Sequence, residues 1–221
     1  MTKKKKENKS KETKKENLKP LYWLVWFGIF LVVLYFISGA VFREISSFNY
    51  EGLEFSKEKF GDIPVFHHYY YFTDGAGDLV KYNFYLRIDP RKNDVPIEGE
   101  VEFDTQGRFN YISVDANLGE CEYASVAIAE LSAFLTNNEM KVRGAMPDLI
   151  QSERNNVDFA TCVNPKDRYV VLVEKGDETK IVREDMCYKV EVANCEILEA
   201  LEKLQIQALL DAKARAADAA K

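Results

Sequence analysis

The pattern of apolar and polar positions changes twice near the start of the chain. Residues 1–20 are almost all polar, residues 21–42 are apolar without one charge, and residues 43–221 mix apolar and polar positions. As a helix, the 22 apolar residues would span ~33 Å, enough for a hydrocarbon core of ~30 Å. We therefore expect a disordered basic tail, a transmembrane helix and a folded domain, in that order.

The ends of the apolar run favour an uncleaved signal-anchor. Aromatic residues lie at both ends, as in the interfacial belts of membrane proteins; they are Tyr22, Trp23, Trp26, Tyr35 and Phe36. A buried core helix is one alternative, but core helices are rarely uncharged over this length. A cleaved signal peptide is another, because Ser38, Gly39 and Ala40 offer small residues for cleavage, but its apolar region is usually shorter.

Turn residues between segments with strand-like composition predict three hairpins in the folded domain. In each, segments rich in aromatic and β-branched residues flank a turn that contains glycine. The paired arms are residues 65–73 with 79–88, 101–104 with 108–114, and 169–174 with 179–183. A weaker strand is expected at 48–55. Residues 89–96 are expected to form a loop, because Pro90 and Pro96 cannot donate ladder hydrogen bonds.

Apolar residues at helical spacing predict two long helices. The first covers residues 121–137 and is apolar nearly all round, which indicates burial. The second starts at Asn194, a good N-cap, and past Asp211 we expect it to be exposed or frayed. A short helix is expected at 147–153. The order of elements indicates an α+β class with antiparallel strands, hairpins and two long helices, preceded by the transmembrane helix.

Charge sets the expected orientation in the membrane. The chain has 221 residues, with 30 Lys and Arg against 36 Asp and Glu. Residues 1–20 hold nine lysines and three glutamates, a net charge of +6, whereas residues 43–221 hold 21 basic and 33 acidic side chains, a net charge of −12. The positive-inside rule places the tail in the cytoplasm and residues 43–221 outside the cell.

The same charges limit the expected partners. The lysine-rich tail should lie against anionic lipid headgroups. Nucleic-acid binding is the alternative, but the tail has no aromatic residue to stack on bases, and the positive-inside rule already accounts for its lysines. We expect the lipid bilayer and an unknown protein or small ligand outside the cell as partners, and no nucleic acid.

Four cysteines, Cys121, Cys162, Cys187 and Cys195, all lie in the part expected outside. An even number in an oxidising compartment indicates two disulfides. A reactive thiol at Cys121 or Cys195, each before a helix, is the alternative, but no CxxC pair is present for a zinc ribbon or a thioredoxin-type motif. An extended strand from Cys187 would place Cys195 ~25 Å away, so two of the three pairings survive.

The expected strand order favours one of these pairings. Four strands are expected to form an antiparallel meander, at residues 157–161, 169–174, 179–183 and 188–193. Alternate ends of a meander share one edge of the sheet, which brings Cys162 and Cys187 together and leaves Cys195 at the other edge. We therefore favour Cys162–Cys187 with Cys121–Cys195. A strand, a cysteine and a helix follow one another at both Cys121 and Cys195. We interpret this as a shared local order of elements and not as a sequence repeat.

Few residues offer metal or catalytic chemistry. His67 and His68 are adjacent on a predicted strand, so their side chains point to opposite faces and cannot chelate one ion together. Asp74 and Asp78 flank a Gly-rich turn that could hold calcium, but it lacks the further ligands of an EF-hand, and a hairpin turn needs such residues anyway. No P-loop or dinucleotide fingerprint is present, and we expect neither metal nor cofactor.

Two features are candidates for ligand binding. Arg87, Asp89 and Arg91 place charges of both signs in a loop after a strand, where functional residues concentrate. The tyrosines within residues 65–85 offer a face for a sugar or a peptide, although such residues more often form cross-strand ladders and cores.

Two segments resemble uncharacterised single-pass membrane proteins of archaea. They are residues 82–96, YNFYLRIDPRKNDVP, and residues 192–200, VANCEILEA, together with the helix that ends near 211–215. The similarity covers most of the outer domain. No activity is assigned to that group, so the resemblance implies a source and carries over no site residue.

The leading hypothesis is a signal-anchored membrane protein with a disulfide-bonded α+β domain outside, acting as a binding or assembly module. It follows from the apolar run, the placement of the cysteines and the lack of catalytic motifs. The alternative is an extracytoplasmic enzyme, either a hydrolase that uses carboxylates or a thiol–disulfide enzyme that uses Cys121 or Cys195.

Overall fold

The computed structural model describes residues 19–104, 107–163 and 168–219, and within its first helix the side chains of residues 22–36. The chain divides into two compact units, Met1–Phe48 and Asn49–Lys221. The first unit contains helix α1, Lys19–Ser46. The second contains the other helices and nearly all of the strand residues.

Helix α1 is exposed along its described part. Every side chain from residue 22 to residue 36 is exposed. The predicted spanning run, 21–42, lies within this helix, but the side chains of 37–42, with the candidate cleavage residues, lie outside the described residues, as do residues 1–18 of the predicted tail. Among the described residues, no helix combines the length and the apolarity needed to cross a membrane.

A four-stranded sheet follows α1 along the chain. Its strands lie in sequence order: β1, Ser47–Tyr50; β2, Leu53–Phe60; β3, Ile63–Thr73; and β4, Leu79–Leu86. Strands β2, β3 and β4 pair antiparallel. The single strand predicted at 48–55 is instead divided between β1 and β2, because Glu51 and Gly52 have φ angles of +49° and +84° and turn the chain.

The first predicted hairpin is confirmed. Strands β3 and β4 pair with Thr73 opposite Leu79. The turn between them closes because Asp74 Oδ1 accepts hydrogen bonds from the backbone N–H groups of Ala76 and Asp78, at 3.0 and 2.8 Å. Asp74 therefore acts as a turn residue, which explains its place in the sequence without a bound ion.

The remaining strands form a seven-stranded mixed sheet. They are β5, Ile97–Glu98; β6, Phe109–Val114; β7, Lys141–Met146; β8, Asp158–Phe159; β9, Val170–Lys175; β10, Lys180–Glu184; and β11, Cys187–Val192. Their order across the sheet is β5-β10-β11-β9-β6-β7-β8. Only β10 and β11 pair antiparallel, and the other neighbours are parallel. The α+β class is confirmed, but the expectation of antiparallel strands is wrong for this sheet.

Two predicted hairpins do not form. Residues 101–104 are not in a strand, and β6 pairs with β7 and β9 instead. Strand β11 lies between β9 and β10 and runs parallel to β9, so the predicted meander is also wrong. The cause is burial: Val170, Val171, Leu172 and Val173 are all buried. A strand covered on both faces favours the interior of a parallel sheet.

Among the described residues, three α-helices belong to the second unit: α2, Ala124–Asn137; α3, Leu149–Asn155; and α4, Ile197–Ala219. Helix α2 contacts β7, helix α4 contacts β10 and β11, and the two pack against each other. Helix α2 buries one face only, and not its whole surface as expected; the buried residues are Ala127, Leu131, Phe134 and Leu135. Asn194 is not the N-cap of α4, because it has a φ of +51° and precedes the first helical residue by three positions.

Two disulfides join distant parts of this unit in the pairing that the sequence favoured. Cys121 bonds to Cys195 and Cys162 bonds to Cys187, with Cα–Cα distances of 5.2 and 5.3 Å. Strands β6, β9 and β11 are parallel, so their carboxyl ends share one edge. Cys121 and Cys195 follow β6 and β11 at that edge, while Cys187 begins β11 at the other. Parallel strands, and not a meander, bring each pair together.

Candidate functional site

An apolar cavity of about 580 Å³ lies between the four-stranded sheet and helix α4. This volume is within the range of small-molecule sites. Its walls come from parts that are far apart in the sequence: strand β3, residues 101 and 103, the end of α2 and the second half of α4. We refer to this space as the apolar cavity.

Strand β3 supplies the aromatic wall of the apolar cavity. Alternate side chains of a strand share one face, which groups His68, Tyr70 and Phe72. Tyr70 Oη donates a hydrogen bond to Asn138 Oδ1 at 2.7 Å, and the Tyr70 ring lies 5.3 Å from the ring of Tyr82. Burial raises the pKa of Tyr70, so its hydroxyl stays a neutral donor at pH 7. These contacts fix the position of the aromatic wall.

Helix α4 supplies the opposite wall with small side chains. Ala208, Ala212 and Ala216 recur every four residues, so they lie on one face of the helix. Their methyl groups leave space that larger side chains would fill. The residues past Asp211 are exposed, as expected, but the helix continues to Ala219. The alanine-rich end is therefore an ordered wall and not a frayed terminus.

Two exposed basic side chains of α4 are among the residues that line the apolar cavity, and we refer to this exposed part of the lining as the mouth. Lys213 Nζ donates to the carbonyl oxygen of Gly52 at 2.7 Å, and Arg215 Nη1 donates to that of Val101 at 3.2 Å. Within the described parts of the chain, neither forms an ion pair with a carboxylate. Asp211, one turn before Arg215, accepts from the backbone N–H of Val101 and from the side chain of Gln207. Among the described residues, the lining of the cavity therefore includes two cations and no carboxylate.

His68 lies between the aromatic wall and the basic mouth. Its Nδ1 lies 2.8 Å from the carbonyl oxygen of Glu54, which assigns the proton to Nδ1 and leaves Nε2 as an acceptor. Burial is the main cause that lowers the pKa of His68, and the neighbouring His67 and Lys213 act in the same direction. His68 is therefore a neutral imidazole at pH 7, one that does not add to the charge of the mouth.

The opposite face of β3 is exposed and aromatic. His67 stacks on Tyr85 with ring centroids 4.5 Å apart, and its Nδ1 lies 2.7 Å from Glu58 Oε1. Tyr69 and Tyr71 are 52% and 56% exposed. The two histidines thus point to opposite faces, as predicted from their adjacent positions. The tyrosines make the cross-strand and same-face contacts that are usual on a sheet.

The charges of the predicted binding loop pair within the protein and do not line the apolar cavity. Arg87 Nε donates to Glu130 Oε1 at 3.0 Å. Arg91 Nε and Nη2 donate to the two carboxylate oxygens of Asp89 at 2.9 and 2.6 Å. The hydrogen bond from Arg91 is the main cause that lowers the pKa of Asp89. The structure therefore places these three residues in a loop held by one internal ion pair and by one ion pair to α2.

A buried carboxylate that the sequence analysis missed fixes the start of this loop. Glu202 is 1% exposed, and its two oxygens accept from the backbone N–H groups of Arg87 and Ile88, at 2.6 and 2.9 Å. Burial raises the pKa of Glu202 to about 8, although both hydrogen bonds oppose that rise. The sequence feature that indicates its burial is its position on α4. Glu202 lies four residues after Leu198 and four before Ile206, on the buried face of the helix.

Local structure explains the other residues that were candidates for metal binding or thiol chemistry. In the part of the chain that the structure describes, no group of three or more His, Cys, Asp or Glu is arranged to hold a metal ion. The Gly-rich turn is held instead by Asp74 and by Glu139 Oε2, which accepts from the backbone N–H of Gly75 at 2.8 Å. Cys121 and Cys195, the two candidate reactive thiols, are bonded to each other.

The apolar cavity is the place where space, apolar walls and charged groups come together. Its walls are fixed by the hydrogen bond of Tyr70 and by helix α4, and its mouth by the bonds of Lys213 and Arg215. These are the general features of a small-molecule site. Comparisons of the chain with models of protein families, with curated proteins and with solved structures found no match.

Proposed function

We propose that this protein is a single-pass membrane protein whose disulfide-bonded domain, residues 43–221, lies outside the cytoplasm and acts as a binding module. The apolar cavity carries the proposal, because a preformed apolar space with a few polar groups at its mouth is the usual form of a ligand site. An enzyme has less support. Cys121 and Cys195 are joined, and Glu202, whose pKa is raised, is buried away from any substrate.

The proposed anchor is supported by the sequence and by the exposure of α1. Residues 21–42 carry no charge, and nine lysines precede them. The described side chains of α1 include Trp23, Trp26 and Phe30, all of them exposed. A continuous exposed apolar surface marks a contact with another protein or with a membrane. The two disulfides support an oxidising compartment for the domain.

The proposed orientation predicts a definite pattern of protease protection. In sealed vesicles whose extracytoplasmic face points outward, added protease should remove residues 43–221 and leave the lysine-rich tail intact. In inverted vesicles the tail should be cut and the domain protected, because a sealed bilayer excludes the protease. Antibodies against each end would detect the fragments after gel electrophoresis. A domain digested only from the cytoplasmic side would overturn the orientation.

The cavity predicts selective photolabelling of its walls. The full chain in lipid nanodiscs would be irradiated with a neutral aliphatic diazirine, and the labelled peptides would be identified by mass spectrometry. Peptides that contain Tyr70, Met140 and Ala216 should be labelled, because they line one space. The substitution Ala212→Trp should reduce this labelling, because an indole at this wall position would occupy part of the cavity of about 580 Å³.

The matched control is Ala214→Trp on the same helix. Ala214 is exposed and does not line the apolar cavity, so this variant should keep the labelling of the walls. Probe dissolved in the bilayer should label residues 22–36 equally in both variants, which gives an internal reference. Absence of labelling at the walls in the unsubstituted chain, or equal loss in both variants, would contradict the proposed binding site.

A further inference from the structure

The charge at the cavity mouth differs in sign from the rest of its domain. Residues 43–221 carry a net charge of −12, yet Lys213 and Arg215 stand together at the mouth without a carboxylate partner among the described residues. Asp211 and Asp218 lie within about one turn of Arg215 on α4, but neither lines the cavity, so the charged side chains of its described lining are both basic.

Both cations are held in place and keep hydrogen-bond donors to spare. An ammonium has three donors and a guanidinium has five, and each of these two groups uses one donor on a backbone carbonyl. Lys213 fits against Gly52 because that residue has no side chain: a Cβ there would lie 3.0 Å from Lys213 Nζ. The mouth is therefore preorganised to give further hydrogen bonds to an acceptor with negative charge.

Apart from His68 Nε2, which can accept a hydrogen bond, the lining behind these cations offers little to a second polar group. Ala212, Ala216 and Phe72 present carbon atoms, and Tyr70 already donates its hydroxyl proton to Asn138. A ligand that fills such a space gains mainly by burying apolar surface. The two ends of the site therefore favour different parts of a ligand, a charged group at the mouth and a hydrocarbon chain inside.

We propose that the ligand is a free, single-chain amphipathic carboxylate, with its chain in the apolar cavity and its carboxylate at Lys213 and Arg215. This inference rests on the proposed binding function and names its ligand class. The volume of about 580 Å³ suits one small molecule and not a complete two-chain lipid. A guanidinium beside an ammonium is a favourable setting for a carboxylate, because charge-assisted hydrogen bonds are about twice as strong as neutral ones.

The test is competition for the photolabelled site, with two ligands that share a chain and differ in the headgroup. The full chain in nanodiscs would be labelled with the neutral diazirine in the presence of dodecanoate or dodecan-1-ol, at alkaline pH, where the acid is ionised. Dodecanoate should halve the labelling of the cavity walls at a free concentration about tenfold lower than dodecan-1-ol, as expected for charge-assisted hydrogen bonds at a partly exposed mouth. Added salt should weaken dodecanoate alone.

A double substitution isolates the two cations. Lys213→Gln with Arg215→Gln should abolish the preference for dodecanoate and leave competition by dodecan-1-ol unchanged. The matched control, Lys59→Gln with Lys175→Gln, also removes two positive charges from exposed positions outside the cavity lining and should keep the preference. The salt dependence needs no variant, so the inference can be tested even if the double substitution impairs folding.

Each outcome separates this inference from the proposed function. Equal competition by both ligands, or a preference that survives the double substitution, would overturn the carboxylate while the binding site stands. No labelling of the walls by the neutral probe would overturn both. Protection of the walls by anionic phospholipid in the disc, without competition by dodecanoate, would replace the free carboxylate with a lipid headgroup and so overturn the inference.

Discussion

Replacing Cys121 and Cys195 with alanine is expected to lower the free energy of unfolding by about 4.5 kcal/mol. The two residues are 74 positions apart. A crosslink across a long segment removes many conformations from the unfolded chain, so its loss favours unfolding. Urea titration of the full chain in a non-ionic detergent, followed by near-ultraviolet circular dichroism, would measure the change.

The second disulfide is the matched control for chain entropy. Cys162 and Cys187 are 25 positions apart, and their Cα–Cα distance of 5.3 Å is close to the 5.2 Å of the first pair. Replacing them with alanine should therefore lower the free energy of unfolding by about 3.5 kcal/mol, roughly 1 kcal/mol less than for the longer loop. The unsubstituted chain in reductant separates loss of the crosslink from loss of the sulfur atoms.

The reverse order of effects would contradict the entropic account. Cys187 is fully buried, in a cluster with Tyr111, Val170 and Leu172. If its replacement proved the more damaging, local packing at this site would outweigh the length of the closed loop. A double variant of Cys121 and Cys195 that unfolds no more easily than the original chain would show that the helices hold their positions without the crosslink.

The pairing of the cysteines was predicted correctly, although the parallel strands that bring Cys121 and Cys195 together were not. Each of Cys121 and Cys195 follows a strand and precedes a helix, and the two strands, β6 and β11, are parallel members of one sheet. The carboxyl ends of parallel strands meet at one edge, so similar segments place their cysteines side by side. The meander argument reached the same pairing from a wrong strand order, because Cys187 still lies at the edge where β9 starts.

The hairpin of β3 and β4 was predictable from its local sequence, whereas the parallel sheet was not. A turn held by Asp74 needs only its neighbours in sequence. Strand β6, in contrast, pairs Tyr111 with Val170, fifty-nine positions away. The sequence of β9 shows an apolar run but not which strands flank it. Nonlocal pairing is decided by burial in the whole domain, which a pattern of neighbouring residues does not contain.

The cavity was missed because its walls are distant in sequence and weak in pattern. Ala208, Ala212 and Ala216 have the spacing of a helix face, but alanine is also common on exposed helices. Only their position opposite Tyr70 and Phe72 makes them a wall. The candidate loop at Arg87, Asp89 and Arg91 is the opposite case. Its charges form a conspicuous pattern in the sequence, but they are paired within the protein.

Stability of the protein is expected to fall as the pH rises from about 4 to about 8, because of Glu202. Burial raises its pKa in the folded protein to about 8, whereas an unfolded chain has a value of about 4.3. Between these values the folded protein holds a proton that the unfolded chain has released. The stability contributed by Glu202 is thus fully present below about pH 4 and is lost as the pH rises through 8, at up to about 1.4 kcal/mol for each pH unit.

The surroundings of Glu202 strengthen this dependence. Burial also raises the pKa of Glu130, whose Oε2 is buried and has no hydrogen-bond partner among the described residues, while Arg87 opposes the rise. The negative charge of Glu130 further raises the pKa of Glu202. Both Glu130 and Glu202 therefore lower the stability of the folded protein as the pH rises. The lowered pKa values of Asp89 and Glu191 act the other way, but only in acid below about pH 4, where those groups take up protons.

The substitution Glu202→Gln should remove most of this dependence and identify its source. An amide does not titrate, but its NH2 group cannot accept from a backbone N–H, so either Arg87 or Ile88 would lose its acceptor at a cost of about 1–3 kcal/mol. The variant should therefore be less stable than the original chain at pH 5 and approach or exceed it above pH 8. Thermal unfolding of the full chain in a non-ionic detergent, repeated across this pH range, would measure both curves.

A matched control shows that the slope belongs to a buried carboxylate and not to net charge. Glu153 is exposed on α3, so Glu153→Gln removes the same charge and should leave the pH dependence of the original chain unchanged. If the original chain has constant stability from pH 5 to 8, the two backbone N–H groups hold Glu202 ionised despite its burial. If Glu202→Gln keeps the slope, another group is its source. Either result would separate burial from hydrogen bonding as the stronger influence on this carboxylate.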